Sequence, residues 1–305
     1  MSVSVGETLV APQSRQRDAR RDRLGAVGRY LRRNPTLVVG LSMLLILVLF
    51  VVVGSSLVDP RRARPLSARP IQPPSLALPL GTDKQGRDLF AVMVAGTPLT
   101  LRIGLIAGLV GVSVGALLAF VAAYYGGGVD AIIRGAVDVG LTVPGLLVLI
   151  AIAMSLRTAL TVDQMALVVA SLAWLLPART IRSQVLTLRE RGYVQIAQLS
   201  GMSGPEIIVR ELLPNLLPYL AASLVAAISA AILASIGLEV LGLGPIEAPT
   251  LGMTLYWANF NAALLNGWWW WWLPPIVVIA TLFIGLFLVT VGLDEIANPR
   301  RRRRV

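Results

Sequence analysis

The sequence predicts an all-α integral membrane protein of six transmembrane helices, and three observations carry that expectation. Apolar residues make up 56% of the 305 positions and charged residues only 14%, well under the quarter that an ordinary soluble domain carries. The apolar residues gather into long, nearly uncharged stretches. The arginines behind the net charge of +11 concentrate at the two ends and in the connections between stretches, which is the distribution of the positive-inside rule rather than of a nucleic-acid-binding surface.

The elements follow in order. Residues 1–35 form an arginine-rich tail, with Arg15, Arg17, Arg20, Arg21, Arg23, Arg29, Arg32 and Arg33. Within it, residues 18–33 place Leu24, Val27, Tyr30 and Leu31 at helical spacing among the arginines, which predicts a helix lying in the membrane surface. The start of the tail shows no apolar h-region and no cleavage site, so no removable signal peptide is expected. Thr36 to Val58 is a first span, residues 36–58, free of charge and long enough for about 34 Å of helix against a hydrocarbon core of about 30 Å.

Residues 59–98 are expected outside the membrane as an extended, folded segment, because eight prolines and glycines lie between Pro60 and Gly86. Arg61, Arg62, Arg64 and Arg69 sit there against the positive-inside rule. The core, residues 99–293, holds the other five spans: Ile103 to Tyr124, Val139 to Leu156 with Pro144 inside it, the short stretch Gln164 to Ala178, Leu212 to Leu238, and a last one from the run Trp268 to Trp272 to about Gly292. Residues 294–305 form a basic tail with Arg300 to Arg304. Two basic ends predict two cytoplasmic termini. That parity retains the short fourth span as a crossing.

Several function classes drop out. The chain has no Cys and no His, which removes a Ser-His-Asp triad, histidine- or cysteine-ligated metal sites and an imidazole proton shuttle. An ion-coupled secondary transporter would carry ionisable groups within its spans, and the stretches delimited above hold none. Lys84 is the sole lysine and has no upstream glycine loop, so this chain has no P-loop of its own. Energy for any transport must therefore come from another chain, or not at all, and no cofactor is expected here.

In the second span Gly104, Gly108, Gly111 and Gly115 fall on one helix face, a stripe that predicts close helix packing. Trp268 and Trp272 read as an interfacial anchor at the end of the last span; five consecutive tryptophans point in all directions around a helix, so they make a poor sugar-stacking platform.

The informative loop is 179–214. Tyr193 to Leu199 can form a short helix, Gly201 is a natural stop, and Pro205 with Glu206 suits the first turn of the next helix. This hairpin resembles the cytoplasmic motif of the permease subunits of ATP-binding-cassette importers: E-A-A, three residues, Gly, then a nine-residue gap to a short x-x-L-P element. Gln195, Ile196 and Ala197 stand at the E-A-A positions, Gly201 at the glycine, and Leu213-Pro214 at the end. Further stretches resemble the C-type subunit of the dipeptide, oligopeptide and nickel permease group: RRNP at 32–35, LGTD at 80–83, GRD at 86–88, YYGGGVD at 124–130, RSQVLTLRERGYV at 182–194, LGLG at 241–244 and NPR at 298–300. The chain departs from the group at Gln195 for the usual Glu, at Glu211, and in its tryptophan run.

The resemblance implies a type I importer permease fold with a cytoplasmic coupling-helix hairpin, in a bacterial or archaeal cytoplasmic membrane. It implies half of a translocation pore and no enzyme activity in this chain. The implied partners are a second permease, two cytoplasmic ATPases and an external solute-binding protein, with no nucleic acid. ATPase coupling would fall to Gln195, Ala197, Gly201, Glu206, Arg210 and Pro214. Di- and oligopeptides are the implied cargo and oligosaccharides the alternative; nickel is disfavoured by the lack of His and Cys ligands. Substrate-binding residues are not legible.

Overall fold

The computed structural model describes residues 34–156 and 159–297. The in-plane helix expected over 18–33 and the arginines of the C-terminal tail lie outside the described residues. Among those described, the chain is helical apart from its connections, and a lone antiparallel bridge joins Thr82 to Asp88.

Helix α1, Pro35–Leu57, is the first span. Its outward face, with Val39, Leu45, Ile46 and Val52, stays exposed, as suits a helix at the lipid-facing rim. Its inward face packs on the last helix, α11, Trp269–Ala297. Glycines set that approach: a Cβ on Gly40 would lie 2.8 Å from the Gly285 carbonyl, and one on Gly292 2.6 Å from the Leu37 Cβ.

Helix α2, Leu89–Tyr125, is longer than the stretch hydropathy delimits. The Asp88 carboxylate caps it by accepting from the Phe90 and Ala91 amides. The segment outside the helices therefore ends at Asp88 and not at residue 98, because a helix runs to its cap whether or not its first turns are in lipid. The glycine stripe of α2 meets two partners. Gly104 and Gly108 face Ile228 and Ile232 of α9, Leu213–Val240, while Gly111 and Gly115 face the Ala173–Ala178 stretch.

The expected third span, Val139 to Leu156, is not one helix. It is α3, Gly127–Thr142, and α4, Gly145–Ser155, bent by 87°. Pro144 has no amide to donate and pushes Val143 into extended backbone, at ψ 133°. The fourth is also a bent pair, α5, Val162–Ala173, and α6, Leu175–Arg189, at 43°. It nevertheless runs the length of the apolar part of α2. Arg102 of α2 pairs with Asp163 at one end, and Arg189 donates to the Ala123 carbonyl at the other. The stretch of α2 between those contacts rises about 32 Å, a full hydrocarbon core. Four single helices are long and apolar enough to cross a membrane, and counting each bent pair as one span brings the number to six.

The remaining helices are short. Helices α7, Gly192–Leu199, and α8, Gly204–Ile207, lie between α6 and α9, with a π-turn at Ile208–Leu212. Helix α10, Leu251–Phe260, lies at the opposite end, beside the start of α11.

Candidate functional site: the hairpin between α6 and α9

The 190–214 connection folds as a helix, a glycine turn and a second helix. Helix α7 ends because Gly201 takes φ +80°, a left-handed conformation that costs an L-residue with a Cβ about 1–2 kcal/mol. The Gly201 amide donates to the Gln198 carbonyl and the Met202 amide to the Ala197 carbonyl, the paired bonds of a Schellman ending. Ala197 and Met202 belong to the same apolar cluster, which supplies the contact that accompanies such an ending. The chain restarts at Gly204 with Pro205 in the first turn, where a missing amide costs nothing.

The hairpin has two faces. Val194, Ala197, Ile207 and Leu212 are buried with Phe120 and Ala123 of α2 and Ile181 and Val185 of α6. On the other face Ile196 is 66%, Leu199 88% and Val209 60% exposed. Gln195, Gly201, Arg210 and Pro214 are exposed as well, and Glu206 is half-buried. Glu206 and Arg210 form an ion pair at 2.7 Å, one turn apart. Of the six residues singled out in the sequence, Ala197 alone points inward. It shapes the turn.

Three contacts tie the hairpin and the part of α6 that leads into it to the bundle. Arg182 of α6 grips Asp130 of α3 through Nε and Nη2, each at 2.5 Å, a two-pronged, charge-assisted arrangement. Arg189, at the end of α6, donates to the Ala123 carbonyl at 2.8 Å and so caps the last turn of α2. Gly204 sits against Tyr124, whose ring a Cβ at that position would strike. Sequence reading picked out the stretches that hold Asp130, Tyr124 and Arg182 without pairing them. Tyr193 is half-buried with its hydroxyl unpartnered; burial, and then the charge of Glu211, push its pKa up. The phenol therefore stays neutral beside the carboxylate.

At the opposite end the tryptophan run packs on protein. Trp271 is fully buried with Leu89, Ala258 and Ala263, and Trp268 stacks on it at 6.2 Å. Trp270 donates to the Thr82 carbonyl. Trp268 and Trp272, read above as interfacial anchors, are half-buried in this cluster, and Trp269 is the ring it leaves exposed. The reason is tertiary: α10 and the 66–82 stretch cover the start of α11.

Also at that end, Glu239 is completely buried one residue before the end of α9. Its Oε2 accepts from the Thr250 hydroxyl at 2.8 Å and the Met253 amide at 3.1 Å, and the Leu251 amide donates to the Thr100 hydroxyl of α2. Together these bonds pin the start of α10 to α9 and α2. The apolar stretch read as the fifth span stops at Leu238, so this ionisable group escaped it. Asp294 likewise falls within α11 but beyond Gly292. Helices outrun the hydropathy that reveals them.

Between α3–α4, α5–α6 and α9 lies a cavity of about 770 Å³, lined mainly by small and apolar side chains such as Leu146, Val169, Ala226 and Ala230, with Tyr219 and Asp294 among its polar groups. Among the described residues no cluster of acidic groups is suited to hold a metal ion.

Comparison with known proteins gives the family. Residues 111–303 match the family of binding-protein-dependent transport system inner membrane components. The chain is 30% identical over 275 residues to the dipeptide transport system permease protein DppC of Bacillus subtilis, covering 90% of this chain and 85% of that protein. It is 29% identical to the DppC of Alkalihalophilus pseudofirmus, over 72% of this chain and 71% of that one. It is 27% identical to the oligopeptide transport system permease protein OppC of Mycobacterium tuberculosis, over 60% and 62% of the two chains. With six spans, a two-faced hairpin and these relatives, the chain belongs to the family of binding-protein-dependent transport system inner membrane components and is a permease subunit.

Proposed function

We propose that this chain forms half of the translocation pore of an ATP-driven importer for di- and oligopeptides, and that the hairpin from Gln195 to Pro214 receives the stroke of a cytoplasmic ATPase. The observation that carries the reading is the hairpin's division into a buried face and a bare apolar one. Ile196, Leu199 and Val209 are exposed on a segment whose other side is bolted to α2 and α6. Exposed apolar side chains on a rigid base mark a protein contact. A push on that face reaches α3 through Arg182 and α2 through Arg189, and packed elements answer a push by moving between discrete arrangements.

The reading places both termini and the hairpin in the cytoplasm and residues 59–88 outside. The other participants are a second permease, two ATPases that hold ATP and magnesium, and an external solute-binding protein. The cavity beside α9 suits a half-pore. It is apolar and carries few fixed charges, so it offers no high-affinity site that would retain a peptide. Peptides are favoured as cargo because the relatives are named for dipeptide and oligopeptide transport.

Copurification and uptake test the proposal. ATPase subunits should copurify with the tagged chain, and the reconstituted complex should hydrolyse ATP faster when loaded binding protein is added. Short peptides should enter vesicles and malto-oligosaccharides should not. Absence of an ATPase partner would sink the importer reading, and uptake of sugar without peptide would replace the cargo. Tags near Gln72 and Ala248 should be reachable from outside in intact cells, and a tag near Gln195 protected.

A further inference from the structure

The cavity beside α9 is polar at one end only. Its polar side chains are Thr180, Tyr219, Ser223, Thr290 and Asp294. Helix direction gathers four of these toward the hairpin. Tyr219 and Ser223 lie near the start of α9, which leaves the hairpin, and Thr290 and Asp294 near the end of α11, which begins at the opposite end of the bundle. Thr180 belongs to α6, which leads into the hairpin. Farther from the hairpin the α9 wall, from Ala226 to Gly237, consists of Ala, Leu and Gly residues, and Leu146 and Val169 continue the lining.

The polar end offers acceptors and no cation. The Thr180 hydroxyl donates to the Leu176 carbonyl and the Thr290 hydroxyl to the Leu286 carbonyl, so both use their one donor within their own helix and keep oxygen lone pairs free to accept. Among the described residues of the lining, Asp294 is the only charged one. It is half-buried and makes neither an ion pair nor a side-chain hydrogen bond with a described residue. Other carboxylates kept from water are engaged. Asp83 holds the Arg87 guanidinium inside the 59–88 unit, both side chains nearly inaccessible. Asp130 holds Arg182, and Glu239 accepts from Thr250 and Met253. A carboxylate that lines an apolar cavity without a partner favours a cation that brings donors with it.

The geometry points to Asp294 as the group that meets the ammonium of a peptide cargo as it leaves the pore, with the hydroxyl oxygens at the same end of the cavity as further acceptors. An ammonium carries three donors and no acceptor, which matches an end built mainly of acceptors. A neutral oligosaccharide brings hydroxyls but no charge. One half-buried carboxylate orients a passing cation without retaining it, as a pore exit requires. The inference rests on the importer reading given above and deepens it, because it finds within this chain a physical reason for peptide cargo.

The test uses the whole importer in proteoliposomes with its binding protein and labelled trialanine as cargo, and reads uptake per ATP hydrolysed. Asp294→Asn should lower that ratio about fivefold, the effect of one half-exposed ionic contact, with the melting temperature of the complex unchanged. Because the chain has no Cys, Asp294→Cys gives this subunit a single thiol at which charge can be put back. A methanethiosulfonate reagent that attaches ethylsulfonate should restore about half or more of the lost uptake, and one that attaches ethyltrimethylammonium should lower it further. Asp294→Ala treated in the same way reads any effect at thiols of the partner subunits. A wild-type ratio in Asp294→Asn overturns the proposal, as do equal responses of the thiol variant to the two reagents. A sulfonate that restores melting temperature but not uptake overturns it too, and assigns the carboxylate to a cation of the protein itself. If the wild-type importer neither takes up trialanine nor hydrolyses ATP, the importer reading falls together with this one; wild-type transport equalled by Asp294→Asn removes this inference alone.

Discussion

The two ends of the bundle use family-like stretches in opposite ways. At the hairpin end the stretch from Gln195 to Pro214 leaves Gln195, Gly201, Arg210 and Pro214 at the surface, while Ala197, Ile207 and Leu212 turn inward. At the other end LGTD and GRD place Asp83, Arg87 and Asp88 inside, where they are almost inaccessible; the exposed cations Arg61, Arg62, Arg64 and Arg69 precede LGTD, and Lys84 lies between the two stretches. One stretch is built to be touched, the other to hold a frame. The same residue types therefore mean different things, and burial decides which. A charge kept in water is available to a partner, whereas a buried one must spend its interactions on its own chain.

The largest effect expected from breaking this contrast comes from the buried side. Asp83→Ala leaves the Arg87 guanidinium buried without its carboxylate, a loss of about 3–5 kcal/mol. The 59–88 unit should lose order, and the yield of monodisperse protein in detergent should collapse. Normal yield and normal melting would show that the unit does not depend on the pair.

Next comes the Asp130–Arg182 link, which under the proposed function carries the hairpin's motion into the bundle. The Asp130 and Arg182 side chains are largely buried, and a double-mutant cycle between them should show a coupling energy of about 1–3 kcal/mol. Asp130→Arg and Arg182→Asp alone should each lower peptide uptake per ATP hydrolysed, and the double exchange should restore part of it. Two single variants that lower uptake and ATP hydrolysis in proportion, with no rescue, would make the pair a fold element only.

Gly201→Val should cost about 1–2 kcal/mol through backbone conformation alone, because a Cβ there meets nothing within 4 Å. Membrane insertion should survive while coupled ATP hydrolysis falls. Uptake at the wild-type rate by the valine variant would reduce Gly201 to the end of a surface helix. The smallest change is expected from Glu206→Ala. An exposed i,i+4 pair contributes about 0.3–0.5 kcal/mol, so melting should hardly move, and any large loss of ATPase binding would mean that Glu206 meets the partner directly.

Much of this architecture was legible in the chain. Hydropathy located all six spans, since a bilayer core tolerates few charges whatever the tertiary arrangement. Local chemistry located the hairpin turn: a Schellman ending at Gly201 and a proline start at Pro205 depend on residues within a few positions of each other. The helix limits were less legible. Asp88 caps α2 well before the apolar stretch begins, and Pro144 divides what composition presents as one span.

What the sequence by itself determined is whatever a short window can specify: the membrane setting, the number of spans, the turn of the hairpin and the lack of a P-loop, cysteine and histidine. The tertiary structure decided every relation between distant residues. It put Arg182 on Asp130 across 52 positions, joined Glu239 to the Thr250 cap and the Met253 amide of α10, split the glycine stripe of α2 between two neighbours, and turned Trp271 into core and Trp268 and Trp272 partly toward protein. The physical reason is the same in each case. A side chain's periodicity shows that it has a face, but which partner meets that face is set by packing among helices far apart in the chain.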